Sequence, residues 1–252
     1  MDSDCKCCIL VAASKIHSHQ FDKTTFCPNN LYDQFVVEFW IPFIKYVNIK
    51  HSEIKILLIY GKQVKKNDDI FQEIKDNIMI TDIEEDEDQK NYILKLIQGF
   101  KYVRNVYPNC KLIFKTNLSN FIEINSFINI VEYFNFKPQV YAGYLGGDSN
   151  FSFCSGAGFF LSIDLVDYIL KSDILSTKYI DDVAYGHCLV QFPRIRLPRL
   201  DVVCRNTFLS DSELTQLVKS IQTNRHFHVR TRNYNREIDI QVIKFLTKYF
   251  YS

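Results

Sequence analysis

The sequence predicts an α/β protein with a central, mostly parallel sheet and helices on both faces. Apolar runs of strand length alternate with longer segments whose apolar residues recur at helical spacing. The runs at 8–13 and 53–60 are predominantly apolar, as expected for strands inside such a sheet. With 252 residues and 47% hydrophobic content, the chain can form one globular unit with a sizeable core.

The predicted elements follow one another in a regular order. The predicted strands lie at 8–13, 53–60, 77–80, from 111 onward, and 139–145. The predicted helices lie at 31–47, 91–106, 121–133, 164–171, from 181 onward, and 238–250. Pro42 should limit or kink the first helix, because proline lacks the backbone N–H of a helix interior. Ser162 is a candidate N-cap for the helix at 164–171.

The composition excludes several classes of partner and location. Thirty basic and 29 acidic side chains leave a net charge of +1, so no global field draws the protein to nucleic acid or to an anionic membrane. No run of 18 apolar residues is present, and the N-terminus lacks the basic flank and apolar core of a signal peptide. We therefore expect a cytoplasmic protein without a nucleic-acid partner and without a membrane segment in this chain.

Eight cysteines are scattered through strand-like and helix-like segments. This distribution favours reduced, buried thiols. Only Cys5, Cys7 and Cys8 are grouped, and no second cysteine pair or histidine pair stands at zinc-finger spacing. A zinc site at this group is therefore the less favoured alternative.

The stretch 111–121 changes within one residue from apolar to short polar side chains. This pattern is typical of a buried strand that reaches the end of a sheet, where α/β proteins bind their ligands. If the segment stays extended, Asn117 and Ser119 share one face while Leu118 points the other way. We therefore expect the functional site at this strand end.

Two later segments carry further candidate residues. Gly156 and Gly158 interrupt an apolar run, where glycine permits a tight bend or the close approach of a ligand. Because no G-x-G-x-x-G follows the first strand, a Rossmann-like oxidoreductase is disfavoured. Asp181 and Asp182 begin a helix, so one can cap it while the other faces a cleft; the alternative is that both are capping residues.

Three segments resemble the inverting β1,3-glycosyltransferases, a family that includes β1,3-galactosyltransferases and β1,3-N-acetylglucosaminyltransferases, with Fringe as a relative. Residues 91–101 (NYILKLIQGFK) resemble the family's Asn-Leu-Thr-Leu-Lys helix. Residues 153–162 (FCSGAGFFLS) resemble its Tyr-Cys-Ser-Gly-x-Gly-Tyr-x-x-Ser segment, and 181–189 (DDVAYGHCL) its Glu-Asp-Val-Tyr-x-Gly-x-Cys-Leu. A weaker match at 227–230 (FHVR) is similar to the family's Val-His segment.

The resemblance implies a single GT-A domain over residues 1–252, a UDP-sugar donor, a glycan or glycoprotein acceptor, and inversion by single displacement. It implies that Asp182 is the catalytic base, that Asp181 orients the loop, and that Lys95 supports the donor site. Gly156 and Gly158 would admit substrate close to the backbone. Family members usually carry an N-terminal membrane anchor and work in the Golgi lumen, which is the alternative location if an anchor was removed from this chain.

The chain departs from the family at the strand end. The family has Lys-Thr-Asp-Asp-Asp-x-Phe where residues 115–121 are KTNLSNF. Asn117 and Ser119 remain candidate substrate-binding residues, but their neutral oxygens bind a hard divalent cation poorly. The resemblance leaves His228 as a metal and diphosphate ligand, and a single imidazole does not hold magnesium. No cofactor is therefore assigned, and Mn²⁺ or Mg²⁺ stays an open alternative.

Three accounts of this departure remain open. A cationic side chain can replace the metal, with Lys115, Arg205 and Arg230 as candidates, because a guanidinium pairs directly with phosphate oxygens. Alternatively, carboxylates from elsewhere, such as Asp82 or Asp148, rebuild a metal site. In the third account, the protein is catalytically inactive and binds a sugar nucleotide or glycan, or partners an active transferase.

Overall fold

The computed structural model describes residues 5–13, 31–62, 64, 69–84, 89–148, 150–172, 179–204 and 207–252. The strands are β1 (Cys7–Ala12), β2 (Ile54–Tyr60), β3 (Ile78–Ile80), β4 (Leu112–Asn117), β5 (Asn120–Ile122), β6 (Tyr141–Gly147), β7 (Ser152–Ser162), β8 (Arg194–Arg196), β9 (Leu200–Val202) and β10 (His228–Thr231). The helices are α1 (Leu31–Phe35), α2 (Ile41–Lys50), α3 (Gln89–Val106), α4 (Ile124–Phe134), α5 (Ile163–Lys171), α6 (Asp181–Cys188), α7 (Asp211–Asn224) and α8 (Arg236–Tyr251). A π-helical turn (Val36–Trp40) joins α1 to α2, and a 3₁₀ segment (Asp69–Asn77) precedes β3.

The main sheet has seven strands in the order β3-β2-β1-β4-β7-β6-β8. Strand β7 is antiparallel to both of its neighbours, β4 and β6, and the other pairings are parallel. The predicted α/β class with a mostly parallel central sheet is therefore confirmed. The order also places β4, the strand of the expected site, in the middle of the sheet beside β7.

Two apolar layers cover the two faces of this sheet. Alternate residues of β1 enter different layers: Ile9 and Val11 join one, whereas Cys8 and Leu10 join the other. Residues from the α1 to α2 region, α4, α7 and α8 fill the first layer, and residues from α3, α5 and α6 fill the second. The central strands are consequently buried on both faces, which explains their continuous apolar runs.

A second, three-stranded sheet lies next to the end of β4. Its order is β5-β10-β9, with β10 antiparallel to β5 and parallel to β9. Arg230 on β10 is paired with Asn120 on one side and with Asp201 on the other. Paired residues project from the same face of a sheet, so this register groups polar side chains from three separate parts of the chain.

One predicted helix start was wrong. The helix predicted at 121–133 begins only at Ile124, because residues 120–122 form β5 and pair with β10. Glu123 then caps α4 by accepting the N–H groups of Asn125 and Ser126. The interruption predicted near Pro42 is observed: the π-helical turn ends at Trp40, and Pro42 lies in the first turn of α2.

The described cysteines do not support a zinc site at the N-terminal group. All seven are free thiols, and six of them are buried. Cys7 and Cys8 are neighbours on β1 and enter opposite apolar layers, so the two thiols cannot face one ion. Within the ranges described, no helix combines the length and the apolar character needed to cross a bilayer.

Candidate functional site

The chain turns at the end of β4 instead of staying extended. Strand β4 stops at Asn117, a turn covers Leu118 and Ser119, and β5 starts at Asn120. The Trp40 indole N–H donates to the Leu118 carbonyl at 3.0 Å, and the Asn120 amide donates to the Asn117 carbonyl at 3.3 Å. The expectation that Asn117 and Ser119 share one face of an extended strand is therefore wrong, because one tertiary and one local hydrogen bond hold the turn.

A buried lysine organises the polar groups at this strand end. Lys115 is fully buried on β4, and its Nζ donates to Asp181 Oδ2 at 2.7 Å, to Asn117 Oδ1 at 3.1 Å and to the Gly156 carbonyl. The Tyr92 hydroxyl donates to the same Asn117 oxygen at 2.9 Å. We call Tyr92, Lys115, Asn117 and Asp181 the lysine cluster. The polar group of each of these four side chains has a hydrogen-bond or ion-pair partner, either within the cluster or on the backbone of β7.

Asp182 stands beside the lysine cluster at the start of α6. Its Oδ2 accepts the Gly156 N–H at 2.8 Å, and its Oδ1 accepts the Val183 N–H at 2.9 Å. Burial raises the pKa of Asp182, and the negative charge of Asp181 raises it further, against the lowering effect of these two N–H groups and of Lys115. Each carboxylate oxygen keeps a lone pair for another partner.

Neither aspartate caps α6 in the predicted manner. The residue at the N-cap is Ile180, and both aspartates lie in the first turn of the helix. Asp181 instead pairs with Lys115, and Asp182 reaches across to the backbone of β7. Ser162 does occupy the predicted N-cap position of α5, but its hydroxyl accepts the Val140 N–H at 2.9 Å and does not cap the helix.

The two glycines of β7 have distinct close neighbours. A Cβ at Gly156 would lie 3.0 Å from Asp181 Oδ1 and 3.2 Å from Asp182 Cβ. A Cβ at Gly158 would lie 2.6 Å from His228 Cε1 and 2.8 Å from Phe114 Cζ. Gly156 thus lets the two carboxylates approach the strand, and Gly158 does the same for the imidazole.

Other predicted site residues have different surroundings. Lys95 is buried on α3, donates to the Ala13 carbonyl at 2.6 Å and lies 5.6 Å from the centre of the Tyr92 ring. It therefore borders the lysine cluster. The Ser119 carbonyl accepts the Thr231 N–H and hydroxyl at 3.4 and 2.9 Å. Arg205 lies outside the described residues.

Four arginines lie on or next to the three-stranded sheet: Arg199, Arg230, Arg232 and Arg236. Together with His228, we call them the arginine cluster. Arg199 pairs with Asp201 at 2.6 and 2.9 Å, and Arg236 pairs with Asp239. The Arg230 side chain is half-buried, and its guanidinium forms no ion pair or hydrogen bond with the described residues. Burial lowers its pKa, Arg199, Arg232 and Arg236 lower it further, and the Asp201 carboxylate acts in the opposite direction.

His228 is buried between this cluster and β7. Burial lowers its pKa to about 3, with additional lowering by Arg199, Arg230 and Lys115, so the imidazole is neutral at neutral pH. Its ring packs edge-on against Phe114, with 5.6 Å between ring centres. Its Nε2 is buried without a hydrogen-bond partner in the described part of the chain.

The donor set at the end of β4 does not fit a divalent cation. Asn117 Oδ1 already accepts two hydrogen bonds, and the Lys115 ammonium 3.1 Å away would repel a cation. Across the described ranges, no three His, Cys, Asp or Glu side chains converge as metal ligands. His228 therefore lacks the carboxylate companions that Mg²⁺ or Mn²⁺ prefers.

The distant carboxylates do not rebuild such a site. Asp148 is exposed, and its Oδ1 accepts the N–H groups of Asn150 and Phe151 at 2.8 and 3.1 Å within a turn. Asp82 is exposed as well and accepts from the Gln98 side chain on α3. Both carboxylates thus serve local structure.

Tyr92, Asn120 and three members of the arginine cluster were not predicted from the sequence. Tyr92 lies inside the segment that resembles the family's helix, but nothing in the pattern marks its hydroxyl as a partner of Asn117. Arg199, Arg232 and Arg236 lie within residues 194–252, a segment with many arginines in which composition alone does not distinguish one from another. Asn120 was assigned to no role, although its amide bridges β4 and β7 by donating to Thr116 Oγ1 and the Ala157 carbonyl.

No protein-family model matches the sequence, and no curated protein matches it. Among solved structures, the chain is similar to a glycosyltransferase involved in the glycosylation of the major capsid of PBCV-1, with a TM-score of 0.49 and 9% identity over 94% of this chain and 98% of that chain. It is also similar to 4-diphosphocytidyl-2C-methyl-D-erythritol synthase from Anaerococcus prevotii, with a TM-score of 0.40 and 12% identity over 95% of each chain. Identities this low leave the functional assignment to the geometry of the site.

Proposed function

We propose that this protein is an inverting glycosyltransferase with a single GT-A-like domain over residues 1–252. It would transfer a hexose or an N-acetylhexosamine from a UDP-sugar to a hydroxyl group of a glycan or glycoprotein. The observation that carries the proposal is the convergence of the segments that resemble the β1,3-glycosyltransferases. Tyr92, Gly156 and Asp182 come from three such segments and lie around the end of β4, joined through Lys115 and Asn117.

Asp182 is the proposed catalytic base. Its carboxylate takes the proton of the acceptor hydroxyl while that oxygen attacks the anomeric carbon of the donor. The bond from the anomeric carbon to the phosphate oxygen breaks, and its electron pair leaves with UDP, so the configuration inverts. The raised pKa of Asp182 brings its basicity closer to the working pH, which favours general base catalysis.

The lysine cluster is proposed to position this base. Lys115 neutralises Asp181 next to it and also binds the Gly156 carbonyl, while the N–H of the same glycine binds Asp182. One residue of β7 thus links the cation and the base, which limits the movement of the carboxylate. Rigid support of this kind is what a reacting group requires.

The decisive experiment measures the release of UDP from UDP-galactose and UDP-N-acetylglucosamine with a panel of glycan acceptors. Asp182→Asn keeps the shape and removes the basicity, so we expect the transfer rate to fall about 10²- to 10⁴-fold with UDP binding retained. Asp211→Asn, on the exposed first turn of α7, is the control and should leave the rate unchanged. Equal rates for Asp182→Asn and the native chain would contradict the proposed mechanism.

A non-catalytic module that binds a sugar nucleotide or glycan, alone or with an active transferase, is the second candidate. It is favoured by the fact that both oxygens of Asp182 already accept backbone N–H groups, as they would in a purely structural clamp. This candidate predicts UDP-sugar binding with no release of UDP for any acceptor.

A further inference from the structure

We infer that the arginine cluster binds the diphosphate group of the donor directly, with Arg230 and His228 as contacts and without a divalent cation. The inference rests on the proposed function and extends it to the donor site. The side chains at the end of β4 do not fit a divalent cation, so the positive charge that binds the diphosphate has to come from elsewhere in the protein. The anion is a nucleoside diphosphate, recognised through its phosphate oxygens.

The positive charge around Arg230 exceeds the negative charge among the described residues. The four guanidinium groups of the cluster have two carboxylates near them there, Asp201 and Asp239, and each is already paired with another arginine. Asp201 attracts Arg230 without forming an ion pair with it, and a partly buried charge that is only partly compensated in this way is costly. A bound phosphate would supply the missing charge and accept two parallel N–H bonds from the guanidinium.

His228 gives evidence that does not depend on charge. It is only 1% exposed, and its Nε2 has no hydrogen-bond partner in the described part of the chain. Buried polar atoms in proteins are nearly always bonded, so the unbonded Nε2 marks a place where a polar group is missing. A neutral imidazole can offer one N–H to a phosphate oxygen.

His228 and Arg230 also lie near Asp182. The strand register puts the side chains of His228 and Arg230 on one face of the small sheet, and His228 packs against Gly158 of β7. Gly156, which binds Asp182, is two residues away on the same strand, about 7 Å along it. The base and the anion site are therefore close enough for one to contact the attacking acceptor hydroxyl while the other binds the departing diphosphate.

The experiment is a calorimetric titration with inorganic pyrophosphate and with UDP, in EDTA and then in Mn²⁺. For the native chain we expect binding in EDTA that weakens with added salt, because guanidinium and phosphate charges attract each other. Arg230→Gln should weaken both probes about 10- to 100-fold, since it removes a charge-assisted, two-point contact. Arg230→Lys keeps the charge without the planar fork and should show an intermediate loss.

Two controls make the result specific. Lys219→Gln, on the exposed face of α7, removes the same charge and should leave binding unchanged. In the native chain, the NMR signals of the His228 ring should shift when pyrophosphate is added, and Arg230→Gln should suppress that shift. Native circular dichroism and a melting temperature that is not lowered for Arg230→Gln exclude unfolding as the cause.

The outcomes separate this inference from the proposed function. Binding that requires Mn²⁺ and ignores Arg230→Gln overturns the inference even if sugar transfer is observed. Equal losses for Arg230→Gln and Lys219→Gln overturn it as well, because the effect would then be one of overall charge. Arg230-dependent binding without any UDP release from UDP-sugars supports the anion site and contradicts the transferase proposal.

Discussion

The lysine cluster contacts β7 at Gly156 and the arginine cluster contacts it at Gly158, and the two clusters differ in how completely their polar atoms are satisfied. In the lysine cluster, Lys115 is fully buried and has three acceptors, including its counter-ion Asp181. In the arginine cluster, the Arg230 guanidinium has no acceptor among the described residues and the nearby His228 Nε2 is unbonded. A closed network and an open one thus meet the same strand two residues apart.

This difference indicates how each cluster contributes to the protein. A closed network of charges stabilises one arrangement of the backbone, because every member loses a partner if the arrangement changes. An open network of like charges costs free energy in the absence of a ligand and recovers it on binding. We therefore expect substitutions in the lysine cluster to affect mainly stability, and substitutions of Arg230 to affect mainly binding.

The largest expected effect on stability is that of Lys115→Met. It leaves Asp181 without its cation and the Gly156 carbonyl without its donor, and removal of one partner of a buried pair typically costs about 3–5 kcal/mol. Because the Asp181 side chain is 15% exposed, the lower end of that range is expected. Urea denaturation measures the change in the free energy of unfolding. The control is Lys45→Met, which removes an exposed ion pair with Glu73 and should change that free energy by no more than about 0.5 kcal/mol. Arg230→Met removes an uncompensated charge and should not lower stability by more than this control, and a loss as large as that of Lys115→Met would remove the distinction between the clusters.

The two glycines of β7 provide an intermediate test. In Gly158→Ala, the new methyl group would overlap the ring atoms of His228 and Phe114, and overpacking of this kind costs about 1–3 kcal/mol. In Gly156→Ala, the methyl group meets the Asp181 and Asp182 side chains at 3.0–3.2 Å, so stability should change less and the transfer rate should fall. Thermal denaturation and the UDP-release assay together separate the two effects. The same ratio of stability loss to activity loss in both variants would contradict this assignment.

The smallest effect is a difference in the pH dependence of stability. The pKa of His228 is lowered to about 3 in the folded protein, whereas in the unfolded chain it stays near 6.5. Below pH 6.5 the imidazole is therefore protonated mainly in the unfolded chain, so stability falls, by about 2 kcal/mol at pH 5. Burial raises the pKa of Asp239 to about 6, so its protonation in the folded state adds about 1 kcal/mol over the same interval.

Two variants separate these opposing contributions. On acidification from pH 7.5 to 5, His228→Asn should lose less stability than the native chain, and Asp239→Asn should lose more. Urea denaturation at each pH in a phosphate-free buffer measures both slopes. Equal slopes for the two variants would show that these residues do not carry the predicted shifts.

Much of the fold could be predicted from the sequence because the signals involved are local. The central strands are apolar throughout, and α3 has a clear helical period, so both were recognised within a few residues of their observed bounds. The three-stranded sheet was not predicted. Its strands have three or four residues each, and short segments of this length are held by pairing with distant partners and carry little periodicity of their own.

The same division applies to the candidate site. The sequence by itself singled out Asp181, Asp182, Gly156 and Gly158, through their resemblance to a known set of motifs, and it has the neutral residues Asn117 and Ser119 after the β4 apolar run. Only the tertiary structure decided that Lys115 is the counter-ion of Asp181 and that the Arg230 guanidinium, near His228, has no ion-pair partner among the described residues. Ion pairing and burial depend on distances between residues far apart in the chain, and those distances are set by the sheet order and strand register.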